Sequence, residues 1–124
     1  MRYLLDVNVL IAAIWRDHSN HRRADAWTHG RAMAVCPIVE LGFLRISTHP
    51  KGLCSAMPGA RRLLQDFICQ HDVEFVGCDM AALESKAGSS DEVTDQYLAE
   101  LAARNGMKLA TLDRVINHPA VEII

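Results

Sequence analysis

The sequence predicts an α/β fold, a three-layer α/β/α sandwich around a mostly parallel five-stranded sheet. Short apolar segments of strand length alternate along the chain with longer segments whose apolar residues recur at helical spacing. Strands that are joined through helices make right-handed crossovers, which produce a parallel sheet covered on both faces. With 124 residues, half of them hydrophobic, the chain is expected to form one domain over residues 1–124.

The first half of the chain contains two predicted strands and four predicted helices. The strands are residues 2–6 and 32–36, and the helices are residues 8–14, 20–28, 37–47 and 59–69. Pro37 suits the first turn of a helix, where the N–H that proline lacks has no helical partner. Residues 49–58 are predicted to form a loop because they are rich in Pro, Gly and Ser.

The second half of the chain continues the alternation with three predicted strands and two predicted helices. The strands are residues 73–76, 108–111 and 121–123, and the helices are residues 80–87 and 91–104. Asp79 is a candidate cap for the first of these helices. Asn105 and Gly106 are typical of a helix C-terminus and predict the end of the second.

Composition excludes several classes of protein. No apolar run approaches the ~18 residues of a membrane span, and the N-terminus does not resemble a secretory signal, so a cytoplasmic location is expected. The four cysteines lack the close spacing of zinc sites, which predicts buried thiols without metal or disulfides. The formal net charge of −2 is the wrong sign for a general nucleic-acid binder, unless several of the acids are neutralised together.

Four acids occupy core-like sequence near the predicted carboxyl ends of strands. Asp6 ends the first strand, and Asp113 follows the fourth strand by two residues. Glu40 and Asp95 lie near the starts of two helices, where each extends an apolar stripe. Ligands of parallel sheets bind beyond the carboxyl ends of the strands. We therefore expect these four side chains to line one site.

Each acid also has a local explanation, because a carboxylate can close a turn or stabilise a helix N-terminus by ~0.3–1 kcal/mol. Two carboxylates at ~4 Å repel one another by roughly 4 kcal/mol at an effective dielectric constant near 20, which is more than such capping offsets. A cluster would therefore need a hard divalent cation, and carboxylates with water are the ligands that Mg²⁺ and Mn²⁺ prefer. This pattern predicts a metal-assisted hydrolase that acts on a phosphoryl group.

Three other residues are candidate accessory groups. Asn8 and Thr111 each lie two residues from an acid, where they can hold a carboxylate or form a local turn. Arg114 can contact a substrate phosphate or pair with the neighbouring Asp113. Arg45, in an apolar helix, is a further candidate as a buried partner for a carboxylate.

The residues around these acids resemble the PIN-domain ribonucleases, and within them the VapC-type toxins of bacterial toxin–antitoxin pairs. The resemblance covers nearly the whole chain and is carried by residues 5–11, 36–45, 94–99 and 111–114. It implies a single PIN domain over residues 1–124. It also implies an acidic quartet that binds one or two Mg²⁺ or Mn²⁺ ions and cleaves single-stranded or looped RNA.

Carried over residue by residue, the resemblance makes Asp6 and Asp95 the main metal ligands, with Glu40 and Asp113 completing the cluster. Asn8 or Thr111 would be an accessory polar group, although relatives often have Thr or Ser at the position of Asn8. The family also implies a homodimer and a small VapB-like antitoxin that inhibits the enzyme.

Two alternatives remain open from the sequence. A receiver-like or phosphatase-like phosphotransfer domain also gathers Asp residues at strand ends, but it usually needs a nearby lysine. The only candidate, Lys108, lies at the wrong end of its strand. The other alternative is a catalytically inactive PIN-like module that binds RNA or protein.

Overall fold

The computed structural model describes residues 1–124 and has a five-stranded sheet at its centre. The strands are β1 (Arg2–Leu5), β2 (Ala32–Val35), β3 (Glu74–Phe75), β4 (Met107–Thr111) and β5 (Val121–Ile123). They are arranged in the order β3-β2-β1-β4-β5, and every neighbouring pair is parallel. The predicted parallel five-stranded sheet is thereby confirmed.

Five α-helices flank the sheet. They are α1 (Val7–Ile14), α2 (His21–Thr28), α3 (Pro37–Thr48), α4 (Met57–Gln70) and α5 (Val93–Arg104). Helix α1 contacts α2 and α3, and α3 contacts α4, whereas α5 packs against β1 and β4, so helices cover both faces of the sheet. This arrangement is the predicted α/β/α sandwich. None of the helices combines the length and the apolar character needed to cross a bilayer.

The helix predicted over residues 80–87 is wrong. Only a short 3₁₀ turn forms there, Ala82–Glu84, and Asp79 caps no α-helix. The carbonyl oxygen of Met80 accepts a hydrogen bond from the Tyr97 hydroxyl at 2.7 Å, so a tertiary contact uses a group that a helix would use internally. Leu83 is 98% exposed, and the segment therefore has no apolar face that packing could stabilise as a helix.

Two smaller expectations also need correction. Helix α4 begins at Met57, because Pro58 lies in its first turn rather than in the preceding loop. All four cysteines are free thiols, but only Cys36 is buried, while Cys54 and Cys69 are exposed.

The core includes fully buried side chains of the central strand β1 and its neighbour β4. Leu4, Leu5 and Leu109 are fully buried between the helical layers, together with Leu10 of α1 and Leu98 of α5. Full burial of such a side chain contributes ~1.5–3 kcal/mol relative to exposure. The carboxyl ends of β1 and β4, which precede Asp6 and Asp113, are therefore supported by fully buried side chains.

Helices α1 and α3 approach closely at Gly42, which is buried. A Cβ atom added there would lie 2.6 Å from Cγ2 of Val7, at the start of α1, which is closer than real Cβ contacts allow. Because Gly42 lies in regular helix, its backbone conformation does not require glycine. The glycine is needed because any larger side chain would collide with Val7. Because Val7 directly follows Asp6 and Gly42 follows Glu40 by two residues, the contact also sets the spacing of two candidate site residues.

We expect Gly42→Ala to lower the free energy of unfolding by about 1 kcal/mol, because the overlap with Val7 outweighs the better helix propensity of alanine. In a Val7→Ala background the same substitution should no longer destabilise the protein, since the clashing methyl groups are gone. Urea unfolding of wild type, the two single variants and the double variant measures both effects. Gly77→Ala is the matched control: no atom lies within 4 Å of its added Cβ, and the change should stay within about 0.5 kcal/mol. Equal losses from Gly42→Ala in both backgrounds would contradict the steric explanation.

Candidate active site

Asp6 lies at the junction of β1 and α1. Its backbone N–H donates to the carbonyl of Ala110 in β4 at 3.0 Å, which continues the sheet pairing. Its side chain caps α1, with Oδ1 accepting the Val7 N–H at 2.7 Å. Only 6% of the residue is exposed. The carboxylate of Asp6 therefore caps a helix locally and also lies at the edge of the sheet, where it was predicted.

Thr111, at the end of β4, connects Asp6 to the neighbouring loop. Its buried hydroxyl donates to Oδ2 of Asp6 at 2.8 Å and accepts the N–H of Asp113 at 3.0 Å. It also accepts a hydrogen bond from the side-chain amide of Asn8 at 3.1 Å. The Oδ1 atom of Asn8 in turn accepts the N–H of Leu112 at 3.0 Å. Asn8 and Thr111 thus bind the start of α1 to the segment that carries Asp113.

Three of the four predicted acids interact electrostatically. Burial raises the pKa of Asp6 above its usual value, the hydrogen bonds from Thr111 and Val7 oppose this, and the charge of Asp113 raises it further. The pKa of Asp95, at the start of α5, is raised first by burial and then by the charges of Asp6 and Asp113. The side chains at the β1–α1 junction, at the start of α5 and in the β4–β5 connection therefore share one negative region.

Glu40 occupies a more separate position. It lies in the first turn of α3, after β2, and is half-buried. Burial alone raises its pKa, with no contribution from another acid. The structure therefore places Glu40 at the start of the helix that follows β2, the strand next to β1, without the electrostatic contact that joins the other three acids.

The carboxylates do not form a closed metal cage. No three His, Cys, Asp or Glu side chains are gathered closely enough to hold an ion by themselves. Mg²⁺ is usually bound by one or two carboxylates, with waters and substrate phosphate oxygens completing an octahedral shell. An oxygen-only donor set with raised carboxylate pKa values fits this mode of binding, because a cation would relieve the burial and repulsion of the charges.

Two acids near the site were missed from the sequence. A cleft of about 280 Å³ is lined by Asp95 and Asp113 and also by Asp91 and Glu92, which belong to the 3₁₀ turn before α5. The carboxylate of Glu92 accepts the N–H of Gly88 at 2.9 Å. Their spacing of three and four residues from Asp95 was a usable signal, because side chains so spaced share a helix face.

The arginine predictions fare differently. Arg45 is exposed and forms no ion pair, so its prediction as a buried partner for a carboxylate is wrong; it lies on the solvent side of α3, next to exposed Ile46. Arg114 is also exposed and does not pair with Asp113. A contact of Arg114 with substrate phosphate stays a prediction.

Comparison with known proteins identifies the family of the chain. A family model described as PIN domain matches residues 3–122. Ribonuclease VapC38 of Mycobacterium tuberculosis is 37% identical over 118 residues, covering 89% of this chain and 84% of that protein. Ribonuclease VapC44 of the same species is 37% identical over 131 residues, covering 98% of this chain and 92% of that protein.

Solved structures show the same architecture. VapBC2 from Rickettsia felis, bound to a DNA fragment from its promoter, matches with a TM-score of 0.64 and 15% identity, covering 100% of this chain and 98% of that chain. DNA-bound VapBC from Salmonella typhimurium matches with a TM-score of 0.64 and 18% identity, covering 100% of this chain and 97% of that chain. The chain therefore belongs to the PIN-domain family and, within it, groups with the VapC ribonucleases.

Proposed function

We propose that residues 1–124 act as a single PIN domain with endoribonuclease activity, which cleaves single-stranded or looped RNA and is the toxin of a toxin–antitoxin pair in the cytoplasm. The observation that carries this proposal is the convergence of Asp6, Asp95 and Asp113, whose charges act on one another at the carboxyl end of the sheet. The kinship with VapC ribonucleases supports RNA as the substrate.

Asp6 and Asp95 are the proposed ligands of Mg²⁺ or Mn²⁺, with Asp113 and Glu40 completing the acidic set. A bound divalent ion supplies Lewis-acid chemistry, since it stabilises charge on the phosphoryl group and lowers the pKa of a water molecule. Asp6 is suited to a fixed ligand role because two hydrogen bonds orient its carboxylate before any ion binds.

Glu40 and Asp113 are the candidates for handling the proton of the attacking water. Burial raises the pKa of Glu40, which increases its affinity for a proton at neutral pH. The Oδ1 atom of Asp113 is held by the N–H of Val115 at 2.9 Å, so this carboxylate has a defined direction. Either residue, placed within reach of the water, can orient it for in-line attack and accept its proton.

A VapB-like antitoxin is the proposed protein partner. The matching solved structures from Rickettsia felis and Salmonella typhimurium are VapBC proteins with DNA, which supports a toxin that forms such a complex with its antitoxin. A homodimer is part of the same proposal and can be checked by light scattering of the purified chain.

Phosphotransfer of the receiver type is disfavoured by the position of the lysine. Nζ of Lys108 lies 3.6 Å from the carboxylate of Glu122 on β5, away from the three coupled acids. Failure of the protein to incorporate label from a phospho-donor would discard this alternative. Binding of RNA without divalent-dependent cleavage would instead favour the inactive PIN-like module.

Asp6→Asn should reduce RNA cleavage at least about a hundredfold, because the loss of a metal ligand removes several kcal/mol of transition-state stabilisation. The measurement is cleavage of single-stranded RNA with Mg²⁺, with Mn²⁺ and with EDTA, and EDTA should abolish wild-type activity. Asp66→Asn, at an exposed position on α4, is the matched control and should cleave normally. Equal cleavage by wild type and Asp6→Asn would identify a contaminating nuclease and end the proposal.

Asp95→Asn should raise the thermal midpoint at pH 7 in EDTA, because it removes a charge that burial destabilises and that Asp6 and Asp113 also repel. A carboxyl whose pKa is raised by folding lowers the stability of the protein once it is ionised. This cost vanishes below the pKa that the Asp95 carboxyl has in the unfolded chain, 3.8. The midpoints of variant and wild type should therefore converge as the pH falls towards that value. Added Mg²⁺ should stabilise wild type more than the variant. Identical midpoints at pH 7 in EDTA would show that the acids do not strain the fold.

Thr111→Val should lower kcat about 10–100-fold and raise the Mg²⁺ concentration for half-maximal cleavage, because Oδ2 of Asp6 loses the hydroxyl that orients it. Thr111→Ser keeps the hydroxyl and should restore both quantities. Steady-state kinetics over a Mg²⁺ titration make the measurement, with circular dichroism to establish folding. A loss of activity with an unchanged Mg²⁺ requirement would assign Thr111 a purely structural role.

A further inference from the structure

A second cavity, of about 300 Å³, opens between the first turns of α3 and α5 and differs in character from the acidic cleft. Five of its six lining residues are hydrophobic, and the sixth is a threonine. We call it the apolar pocket. Its lining consists of Ile38, Met80, Ala82, Val93, Thr94 and Tyr97.

The apolar pocket adjoins the acids that form the candidate active site. Ile38 precedes Glu40 by two residues in the first turn of α3, and Thr94 directly precedes Asp95 in the first turn of α5. The two helices that bring these acids to the sheet edge therefore also supply walls of the pocket. Any substrate held at Asp95 lies within a few residues of an apolar surface.

The floor of the pocket is fixed by a buried contact. The Tyr97 hydroxyl donates to the Met80 carbonyl at 2.7 Å, and both residues are buried. The rim is not closed in the same way, because Val93 is 52% exposed and the neighbouring Leu83 is 98% exposed. The pocket thus combines a supported base with apolar groups that water still reaches, which is the condition for binding a small apolar or aromatic group.

The charges around the pocket select which part of a nucleotide can enter it. Asp91, Glu92, Asp95 and Asp113 line the adjacent cleft, and these carboxylates repel phosphate in the absence of a cation. A nucleobase is neutral and flat, and single-stranded RNA exposes its bases for recognition by unstacking them. The volume is at the lower end for ligand pockets, which suits one base better than a helix or an extended peptide.

We infer that the apolar pocket is a nucleobase subsite, which binds the base of a nucleotide next to the scissile phosphate. The inference rests on the proposed ribonuclease function, and it assigns to this pocket the preference of the enzyme for certain bases beside the cut. The hydrophobic walls hold the base without using charge. The lining has two side-chain hydroxyls, and that of Tyr97 already donates to the Met80 carbonyl. The Thr94 hydroxyl can hydrogen-bond a base edge and discriminate among bases.

The test is cleavage of a random-sequence single-stranded RNA library with Mg²⁺, followed by sequencing of the cut ends. Wild type should prefer certain bases at one position beside the cut. Ala82→Phe, which fills the pocket, should reduce that preference about tenfold or more at this position and leave preferences elsewhere unchanged. Ala103→Phe, the same substitution at an exposed position near the end of α5, should match wild type.

The outcomes separate the subsite from the enzyme. A wild-type base profile in Ala82→Phe would overturn the subsite and leave the nuclease proposal intact. If that variant also resisted inhibition by an antitoxin, the pocket would be a protein-binding site, and the subsite would again be overturned. If a folded Ala82→Phe variant loses all cleavage, the base profile of Thr94→Val is measured instead. An altered base preference at one position in Thr94→Val would support the subsite, and an unaltered profile would overturn it. Absence of cleavage by wild type would overturn the ribonuclease proposal and the subsite with it.

Discussion

The hydrogen bond from Thr111 to Asp6 is the contact on which the site depends, because it joins the carboxyl ends of the neighbouring strands β1 and β4 at 2.8 Å. Asp6 is almost fully buried, and a buried carboxylate is costly unless hydrogen bonds or a cation compensate it. Thr111 and the Val7 N–H provide part of that compensation, while the charge of Asp113 works against it. The balance leaves a carboxylate whose orientation is fixed and whose charge still favours a cation.

The surrounding fold supplies the rigidity that this arrangement needs. Parallel pairing of β1 with β4 sets Leu5 opposite Ala110, so the residues that follow each strand emerge side by side. Fully buried leucines hold these strands between helices on both faces. The close approach of α1 and α3 at Gly42 then brings Glu40 towards the same edge without merging it with the three coupled acids.

The two cavities beside the acids differ in charge and therefore suit different parts of a nucleotide. The acidic cleft suits a cation and, through it, a phosphate, while the apolar pocket suits an uncharged base. Both are built from the start of α5, since Asp95 faces the first cavity and Thr94 the second. One helix terminus thus connects the chemistry of cleavage with the selection of the nucleotide to be cleaved.

The sequence by itself determined the alternation of strands and helices and the positions of Asp6, Asp95 and Asp113 at strand or helix ends. Apolar periodicity and acids within apolar segments are local signals, which can be read without the tertiary structure. It did not determine the segment after β3, where the Tyr97 hydroxyl binds the Met80 carbonyl and no helix forms. Only the tertiary structure distinguished coupled Asp95 from uncoupled Glu40, exposed Arg45 from a buried partner, and the apolar pocket from ordinary core. These features depend on distances between residues far apart in the chain, which local pattern does not encode.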